Sequence, residues 1–264
     1  MAVIKMNFLS QCLGMQTNVT ICLPSYSFKD RMDGREDVYV PGMKYQVLWL
    51  LHGGTGDDSD FLHFTNITRY ADDHKLAVVM PNDYMGFYDD EPNGIKYRSY
   101  IGEELPKMLQ ALFPFSNRQE DNFIGGLSMG GDGVLKLVSD YPEQYAAALV
   151  MSTSFGIGDI LPSAEVLAGR SHHPHDTAGL RSRFITNARD GHNRTVFWLS
   201  YGSKDHCTEQ MKSHHAFLQR HGYASYIEEV PGYGHEWDFW DLTLRKAINE
   251  WLPVRHSVIY PGEE

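Results

Sequence analysis

Short apolar runs alternate with amphipathic stretches along most of the chain. The strand-like runs lie at residues 45–51, 76–80, 121–124, 145–151, 196–201 and 225–230. Between or after them, apolar residues recur at helical spacing at residues 60–74, 99–113, 131–141, 207–222 and 236–251. This alternation predicts an α/β fold with a mostly parallel central sheet and helices on both faces.

The beginning of the chain has a different pattern. Residues 3–10 and 18–23 are short strand-like runs, and Leu13-Gly14-Met15 between them is a turn signal. Two strands joined by a short turn pair in the antiparallel sense. We therefore expect an amino-terminal antiparallel hairpin at the edge of the sheet.

Residues 126–130 read GLSMG and fit the G-x-S-x-G pattern of a nucleophile elbow. The pattern requires a strand before it and a helix after it, and the predicted strand at 121–124 and helix at 131–141 supply both. The serine of such a turn has a strained backbone, and its close neighbours must be very small, as Gly126 and Gly130 are. Ser128 is therefore the predicted nucleophile of a serine hydrolase.

A serine hydroxyl needs a neutral histidine to accept its proton and a carboxylate to orient that histidine. Hydrolases built on this kind of sheet supply them after later strands, in the chain order Ser, Asp or Glu, His. Asp205 follows the strand predicted at 196–201, and His235 lies in a Gly-rich turn between the last predicted strand and the last helix. We predict Asp205 as the acid and His235 as the general base.

Other roles for these positions stay open at this point. Asp205 also stands where it can cap the helix that begins near Cys207, a role compatible with catalysis. An ordinary exposed loop residue is the alternative for His235. Asp238 and Asp241 are the carboxylates closest to His235 in sequence, but on the following helix they would have to fold back to reach it.

The tetrahedral intermediate of acyl transfer carries an oxyanion, which requires backbone N–H donors. One donor is expected from Met129, next to the nucleophile, and another from the turn after the strand at 45–51. Glycines in that turn let the backbone approach a substrate closely. We expect the Gly54 N–H to be the second donor, with Gly53 as the alternative, and His52 to brace the loop.

Four segments in this order, LLHGGTGDDSDF, GGLSMGG, YGSKDHC and PGYGHEWDFW, resemble the esterase D-like family of α/β-hydrolases, in particular its bacterial tributyrin esterase and feruloyl esterase-like branch. The amino-terminal MNFLSQCLGMQTNVTICLP is also similar, so the resemblance covers nearly the whole chain. It implies the α/β-hydrolase fold and a carboxylic ester hydrolase that uses Ser128, Asp205 and His235 on short acyl, acetylated-sugar or cinnamoyl esters. The S-formylglutathione hydrolases of the family have a serine where His52 stands, so that thioester activity is not expected.

Aromatic residues near the same edge of the sheet are candidates for substrate contact. Trp237 and Phe239 follow the predicted base, and Tyr84 and Tyr97 bracket an aromatic-rich loop. Packing in a local core is the alternative for each of them.

Regular alternation stops between residues 155 and 194, where polar, His-rich sequence surrounds short helical pieces. A stretch of this length without a strand is typical of a lid or a substrate wall, so we expect an insertion over the active-site edge. A loop without a functional role is the alternative.

The 264 residues and their 42% hydrophobic content suit one catalytic domain over residues 1–264.

The resemblance implies a small-molecule ester as the partner, and composition disfavours two other classes of partner. The net charge of −11 disfavours nucleic acid and anionic membranes, because both repel an acidic surface. No signal peptide or membrane-spanning run is visible, which predicts a cytoplasmic location. The oligomeric state stays open, a homo-oligomer included.

Neither a cofactor nor a metal is expected. Cys12, Cys22 and Cys207 lack C-x-x-C spacing and are predicted to be free thiols. The histidines within residues 172–175 lie in a polar stretch without the i, i+4 spacing of a helical zinc site, which favours a solvated loop over a metal site.

Two other functions are compatible with the same pattern. An acyltransferase would resolve the same acyl-enzyme with a sugar or an alcohol instead of water, and nothing in the sequence separates transfer from hydrolysis. A binding protein would keep the fold without activity. The presence of all three catalytic residue types counts against this last alternative.

Overall fold

The apolar runs form the strands of one central sheet. The computed structural model describes residues 1–36, 38–92, 94–162 and 175–263. Within them the sheet has eight strands, β1 Ala2–Leu9, β2 Gln16–Leu23, β3 Val47–Leu51, β4 Ala77–Pro81, β5 Asn122–Leu127, β6 Ala147–Met151, β7 Val196–Gly202 and β8 Ser225–Val230.

The strands lie in the order β1-β2-β4-β3-β5-β6-β7-β8. β1 pairs antiparallel with β2, and β2 antiparallel with β4, whereas all neighbouring pairs from β4 to β8 are parallel. The predicted edge hairpin and mostly parallel sheet are thus confirmed. Because parallel strands have their carboxyl ends at one edge, the loops after β3, β5, β6, β7 and β8 lie along that edge.

Side chains of the central strands alternate between two buried layers, which explains why these strands are apolar at every position. In β3, Val47, Trp49 and Leu51 pack in one layer, while Leu48 and Leu50 pack in the other. None of the five is more than 1% exposed. A strand covered on both faces cannot show the polar and apolar alternation of a half-exposed strand.

Most helices of the described residues lie at predicted positions, whereas the short helix at residues 28–32 lies where a surface loop is expected. They are α1 Phe28–Met32, α2 Asp60–Phe64, α3 Ile67–Asp73, α4 Leu105–Leu112, α5 Met129–Asp140, α6 Thr177–Arg189, α7 Thr208–Arg220 and α8 Trp237–Lys246. A helical turn at Tyr97–Ser99 and a π-helical turn at Tyr100–Glu104 lead into α4, a 3₁₀ turn at Gln119–Asp121 precedes β5, and a π-helical turn at Ala247–Trp251 extends α8.

The helix expected over residues 60–74 is two helices, α2 and α3, because Thr65 interrupts it. Thr65 has an extended backbone, with φ −136° and ψ 169°. Its hydroxyl donates to the Phe61 carbonyl and accepts the N–H of Ile67 at 3.2 Å. The side chain thereby satisfies backbone groups at the end of one helix and the start of the next.

The insertion predicted at 155–194 is described in part. Residues 163–174, which include one predicted helical piece and most of the histidine cluster, lie outside the described residues. In the remainder, α6 packs Leu180 and Phe184 into the core, and the Phe184 ring contacts that of Tyr223 at 5.3 Å. Its α6 segment therefore belongs to the layer that covers the sheet, and the lid role stays a prediction.

Two further expectations concern the cysteines and the membrane. Cys12, Cys22 and Cys207 are free thiols, as predicted. No helix within the described ranges has both the length and the apolar character needed to cross a membrane.

Candidate active site

Ser128 occupies a sharp turn between β5 and α5. Its backbone has φ 52° and ψ −116°, a strained combination for a side chain with a Cβ, and its N–H donates to the Met151 carbonyl of the neighbouring strand at 2.9 Å. A Cβ at Gly126 would collide with the Gly130 carbonyl, and one at Gly130 with the Leu51 carbonyl. The two glycines therefore let the turn close against β3, and Ser128 remains partly exposed.

His235 and Asp205 reach Ser128 from the loops after β8 and β7. His235 Nε2 lies 3.1 Å from Ser128 Oγ, and His235 Nδ1 lies 3.1 and 3.2 Å from the two carboxylate oxygens of Asp205. The structure thus brings together the three residues that the sequence predicts as nucleophile, base and acid. Side chains separated by up to 107 positions in the chain form one hydrogen-bonded line.

Asp205 is ionised in spite of its burial. Burial alone would raise its pKa, but hydrogen bonds from His235 and Ser152, together with the attraction of His235, outweigh that effect and lower the pKa to about 2. A carboxylate accepts hydrogen bonds only, so His235 Nδ1 carries the proton in this contact. His235 Nε2 is then left with its lone pair toward the Ser128 hydroxyl.

The alternatives for the acid are resolved by the contacts of each carboxylate. The Cys207 N–H at the start of α7 donates to Asp205 Oδ1 at 3.2 Å, so Asp205 contacts His235 and the helix terminus at once. Asp241 instead accepts from the Asn66 N–H at 2.8 Å, and Asp238 is exposed on α8. Asp205 is therefore the carboxylate that faces the histidine.

The loop after β3 is held rigidly beside the nucleophile. His52 Nδ1 donates to the Gly53 carbonyl at 2.7 Å, and His52 Nε2 accepts the Asp83 N–H at 3.0 Å. Burial lowers the pKa of His52, which favours the neutral ring that these two contacts require. His52 thus braces the loop, as expected.

Two of the three candidate oxyanion donors, Met129 and Gly53, are neighbours of Ser128. Met129 is the first residue of α5, so its N–H has no acceptor within the helix. Gly53 is buried against Ser128, since a Cβ built on it would lie 3.6 Å from the serine Cβ, whereas Gly54 is exposed. Gly53 and Met129 therefore adjoin Ser128, and the donor roles of Met129, Gly53 and Gly54 stay predictions.

The four predicted substrate contacts divide into two groups. Phe239 is fully buried in the core and Tyr97 is only 6% exposed, so neither offers a surface to a substrate in this structure. Phe239 fails as a contact because it lies on the core-facing side of α8. Tyr84 is 44% exposed and Trp237 is partly exposed, so both remain candidates.

Two residues that the sequence did not single out contact the acid and the base. Ser152, directly after β6, donates to Asp205 and accepts the indole N–H of Trp240 at 3.1 Å. The Trp240 ring also packs edge-on against His235, with centroids 5.0 Å apart. Ser152 follows a buried strand at the same edge as the predicted residues, a signal that could have identified it, whereas no sequence signal marks Trp240.

The family model described as "Putative esterase" matches residues 10–250. The chain belongs to this esterase family. An acetyl esterase of Caldicellulosiruptor saccharolyticus is 27% identical to this esterase over 267 residues, which cover 96% of the chain and 98% of the relative.

Solved structures agree with the family. Two from Staphylococcus aureus, each 29% identical and covering 94% of this esterase and 97% of their own chain, are described as a substrate-bound fluorophosphonate-binding serine hydrolase and as an S-formylglutathione hydrolase, with TM-scores of 0.77 and 0.76. A ferulic acid esterase, 19% identical over 94% of this chain and 95% of its own, shares the fold with a TM-score of 0.74. The α/β-hydrolase fold and the esterase D-like resemblance are confirmed.

The function class follows from these comparisons. A family of esterases and relatives that are serine hydrolases identify the protein as a serine ester hydrolase. The alternative of a binding protein without activity is thereby set aside.

Proposed function

We propose that the esterase works through an acyl-enzyme formed on Ser128. The observation that carries this proposal is the continuous line of hydrogen bonds from Ser128 Oγ through His235 to Asp205, with each contact between 3.1 and 3.2 Å. His235 Nε2 accepts the serine proton as the hydroxyl oxygen attacks the acyl carbon. It then donates that proton to the oxygen of the leaving alcohol.

The second half of the reaction uses the same groups. A water molecule replaces the alcohol, His235 accepts a proton from it, and the water oxygen attacks the acyl carbon. The bond between the acyl carbon and Ser128 Oγ then breaks, His235 returns the proton to Oγ, and the carboxylic acid leaves. Asp205 keeps the ring in the required tautomer and stabilises its charged form. The backbone N–H groups of Met129 and Gly54 stabilise the oxyanion in both halves, with Gly53 as the alternative to Gly54.

The proposed substrates are esters with short acyl chains, acetyl esters first among them. The acetyl esterase relative supports this choice because the match covers nearly the whole of both chains. Acetylated sugars and cinnamoyl esters are the next candidates, with Tyr84 and Trp237 as aromatic surfaces for the alcohol or the acyl group. Edge-to-face packing against Trp240, with ring centroids 5.1 Å apart, restrains the orientation of the Trp237 ring.

Ser128→Ala tests the proposed nucleophile with p-nitrophenyl acetate as substrate. We expect kcat/KM to fall by a factor on the order of 10³ or more, because the acyl-enzyme can no longer form. Ser182→Ala, on the exposed side of α6, is the matched control and should keep the activity of the natural protein. A fluorophosphonate probe should label the natural protein and the control, and retention of activity in folded Ser128→Ala protein would refute the proposal.

A second candidate is the hydrolysis of S-formylglutathione. The neighbour described as an S-formylglutathione hydrolase, at 29% identity and a TM-score of 0.76, favours it, whereas His52 in the oxyanion loop counts against it. A substrate panel separates the two candidates. We expect p-nitrophenyl acetate and acetylated xylo-oligosaccharide to be cleaved with higher kcat/KM than methyl ferulate and S-formylglutathione, and the reverse order would favour the thioester.

A further inference from the structure

A second imidazole contacts the acid of the active site. His206 Nδ1 lies 3.3 Å from Asp205 Oδ1, the oxygen that His235 Nδ1 approaches at 3.1 Å. The two histidine rings are 4.6 Å apart, with an angle of 49° between their planes. The ester hydrolysis described above does not require His206, so its position beside the acid needs another explanation.

The three donor atoms have the spacing of a zinc site. Zinc binds imidazole nitrogen and carboxylate oxygen at about 2.0–2.2 Å in tetrahedral geometry, which separates neighbouring ligand atoms by about 3.4 Å. The contacts of Asp205 Oδ1 with the two Nδ1 atoms, 3.1 and 3.3 Å, are close to that edge. Each of the three side chains offers a ligand atom within 4.8 Å of those of the other two. The remaining edge, between the ligand atoms of the two histidines, is no longer than 4.8 Å.

The exposure of these side chains allows an ion to enter. The Asp205 side chain is fully buried, whereas that of His206 is 54% exposed and that of His235 is 27% exposed. An ion can therefore approach from solvent and keep water as its fourth ligand. Burial lowers the pKa of His206, so the neutral ring that can bind a metal predominates near pH 7.

We propose that Asp205, His206 and His235 bind a Zn²⁺ ion reversibly and that the ion inhibits the esterase. The inhibition rests on the proposed function, because it acts through the histidine that is proposed as the base. Zinc binding uses the lone pair of His235 Nδ1, so the single proton of the neutral ring moves to Nε2. A protonated Nε2 facing Ser128 Oγ can no longer accept the serine proton, and the acyl-enzyme does not form.

Titration of the metal-free esterase with zinc sulfate tests the inhibition, with p-nitrophenyl acetate as substrate. We expect inhibition that EDTA reverses, and an inhibition constant at least tenfold higher in His206→Ala, each compared with its own rate without zinc. His192→Ala is the matched control, since His192 is another partly exposed histidine beside a carboxylate, 3.0 Å from Glu143. It should keep the zinc sensitivity of the natural protein. Equal inhibition constants in natural and His206→Ala protein would overturn the proposal.

Calorimetry with zinc tests the site without any reference to activity. The Ser128→Ala protein should bind one Zn²⁺ at this site, and the same protein with His206→Ala should lose that binding while keeping its circular dichroism spectrum. If Ser128→Ala stays active, the proposed function fails, yet the calorimetric result still decides whether the zinc site exists. Unchanged zinc binding after His206→Ala refutes the site itself.

Discussion

Asp205→Asn should destabilise the folded esterase at neutral pH by about 1–2 kcal/mol. The structure lowers the pKa of Asp205 from 3.8 to about 2 through its contacts with His235 and Ser152, against the opposing effect of burial. Since one pKa unit corresponds to about 1.4 kcal/mol, the ionised form stabilises the fold by about 2 kcal/mol relative to the neutral form. Solvent near the partly exposed His235 screens part of this interaction, which gives the lower limit of about 1 kcal/mol.

The effect should depend on pH in one direction. The pKa of Asp205 is lower in the folded than in the unfolded chain, so its contribution is fully present above about pH 4 and is lost as the pH falls toward 2. Asparagine resembles the neutral acid and does not titrate in this range. The stability difference between the natural protein and Asp205→Asn should therefore shrink as the pH falls from about 4 toward 2.

Urea unfolding followed by tryptophan fluorescence measures this difference at each pH. Asp238→Asn is the matched control, because Asp238 is an exposed carboxylate on the nearby helix α8, and it should change the free energy of unfolding by less than about 0.5 kcal/mol. A difference for Asp205→Asn that stays constant down to pH 3, or that grows in acid, would refute the reasoning. The same variant should lower kcat by a factor on the order of 10³–10⁴, since asparagine no longer holds the required histidine tautomer.

Four further substitutions test the contacts around the site. Gly130→Ala should abolish activity and lower Tm in a thermal melt, because the new methyl group collides with strand β3, whereas Gly54→Ala, with its nearest neighbour 3.9 Å away, should melt like the natural protein. Ser152→Ala removes a hydrogen bond to the acid and should lower kcat by about three- to tenfold with little change in KM, measured on p-nitrophenyl acetate. Gly202→Ala should push the loop that carries His235 away from the nucleophile and lower kcat more than Tm; an unchanged kcat would contradict that packing.

Much of the fold could be predicted because buried segments are recognisable in the sequence by their apolar residues. A strand covered on both faces must be apolar throughout, and β3 and β6 are recognisable for that reason. The positions of Ser128, Asp205 and His235 follow from the same logic, since parallel strands place the residues after their carboxyl ends along one edge. Residues that are far apart in the chain therefore lie close together at that edge of the sheet.

The features that escaped prediction depend on contacts between distant segments or on single side chains. The break between α2 and α3 depends on the hydroxyl of Thr65, which competes with the helix for backbone groups in a way that periodicity does not register. Phe239 was a candidate substrate contact because it follows the base. Helical spacing explains its burial instead, since Thr243 lies four residues later on the same buried face of α8.

The strand order explains why Ser152, the residue after β6, lies beside the three predicted site residues. β5, β6, β7 and β8 are neighbours in the sheet, and the residues after them are Ser128, Ser152, Asp205 and the loop of His235. Three strand intervals of about 4.8 Å separate β5 from β8, so the histidine loop must fold back by roughly 14 Å to reach the serine. It does so across the end of β7, where a Cβ on Gly202 would collide with the carbonyl of Tyr233. Asp205 then lies beneath the returning loop, away from water. The hydroxyl of Ser152, which follows β6, forms one of the hydrogen bonds that keep Asp205 ionised there.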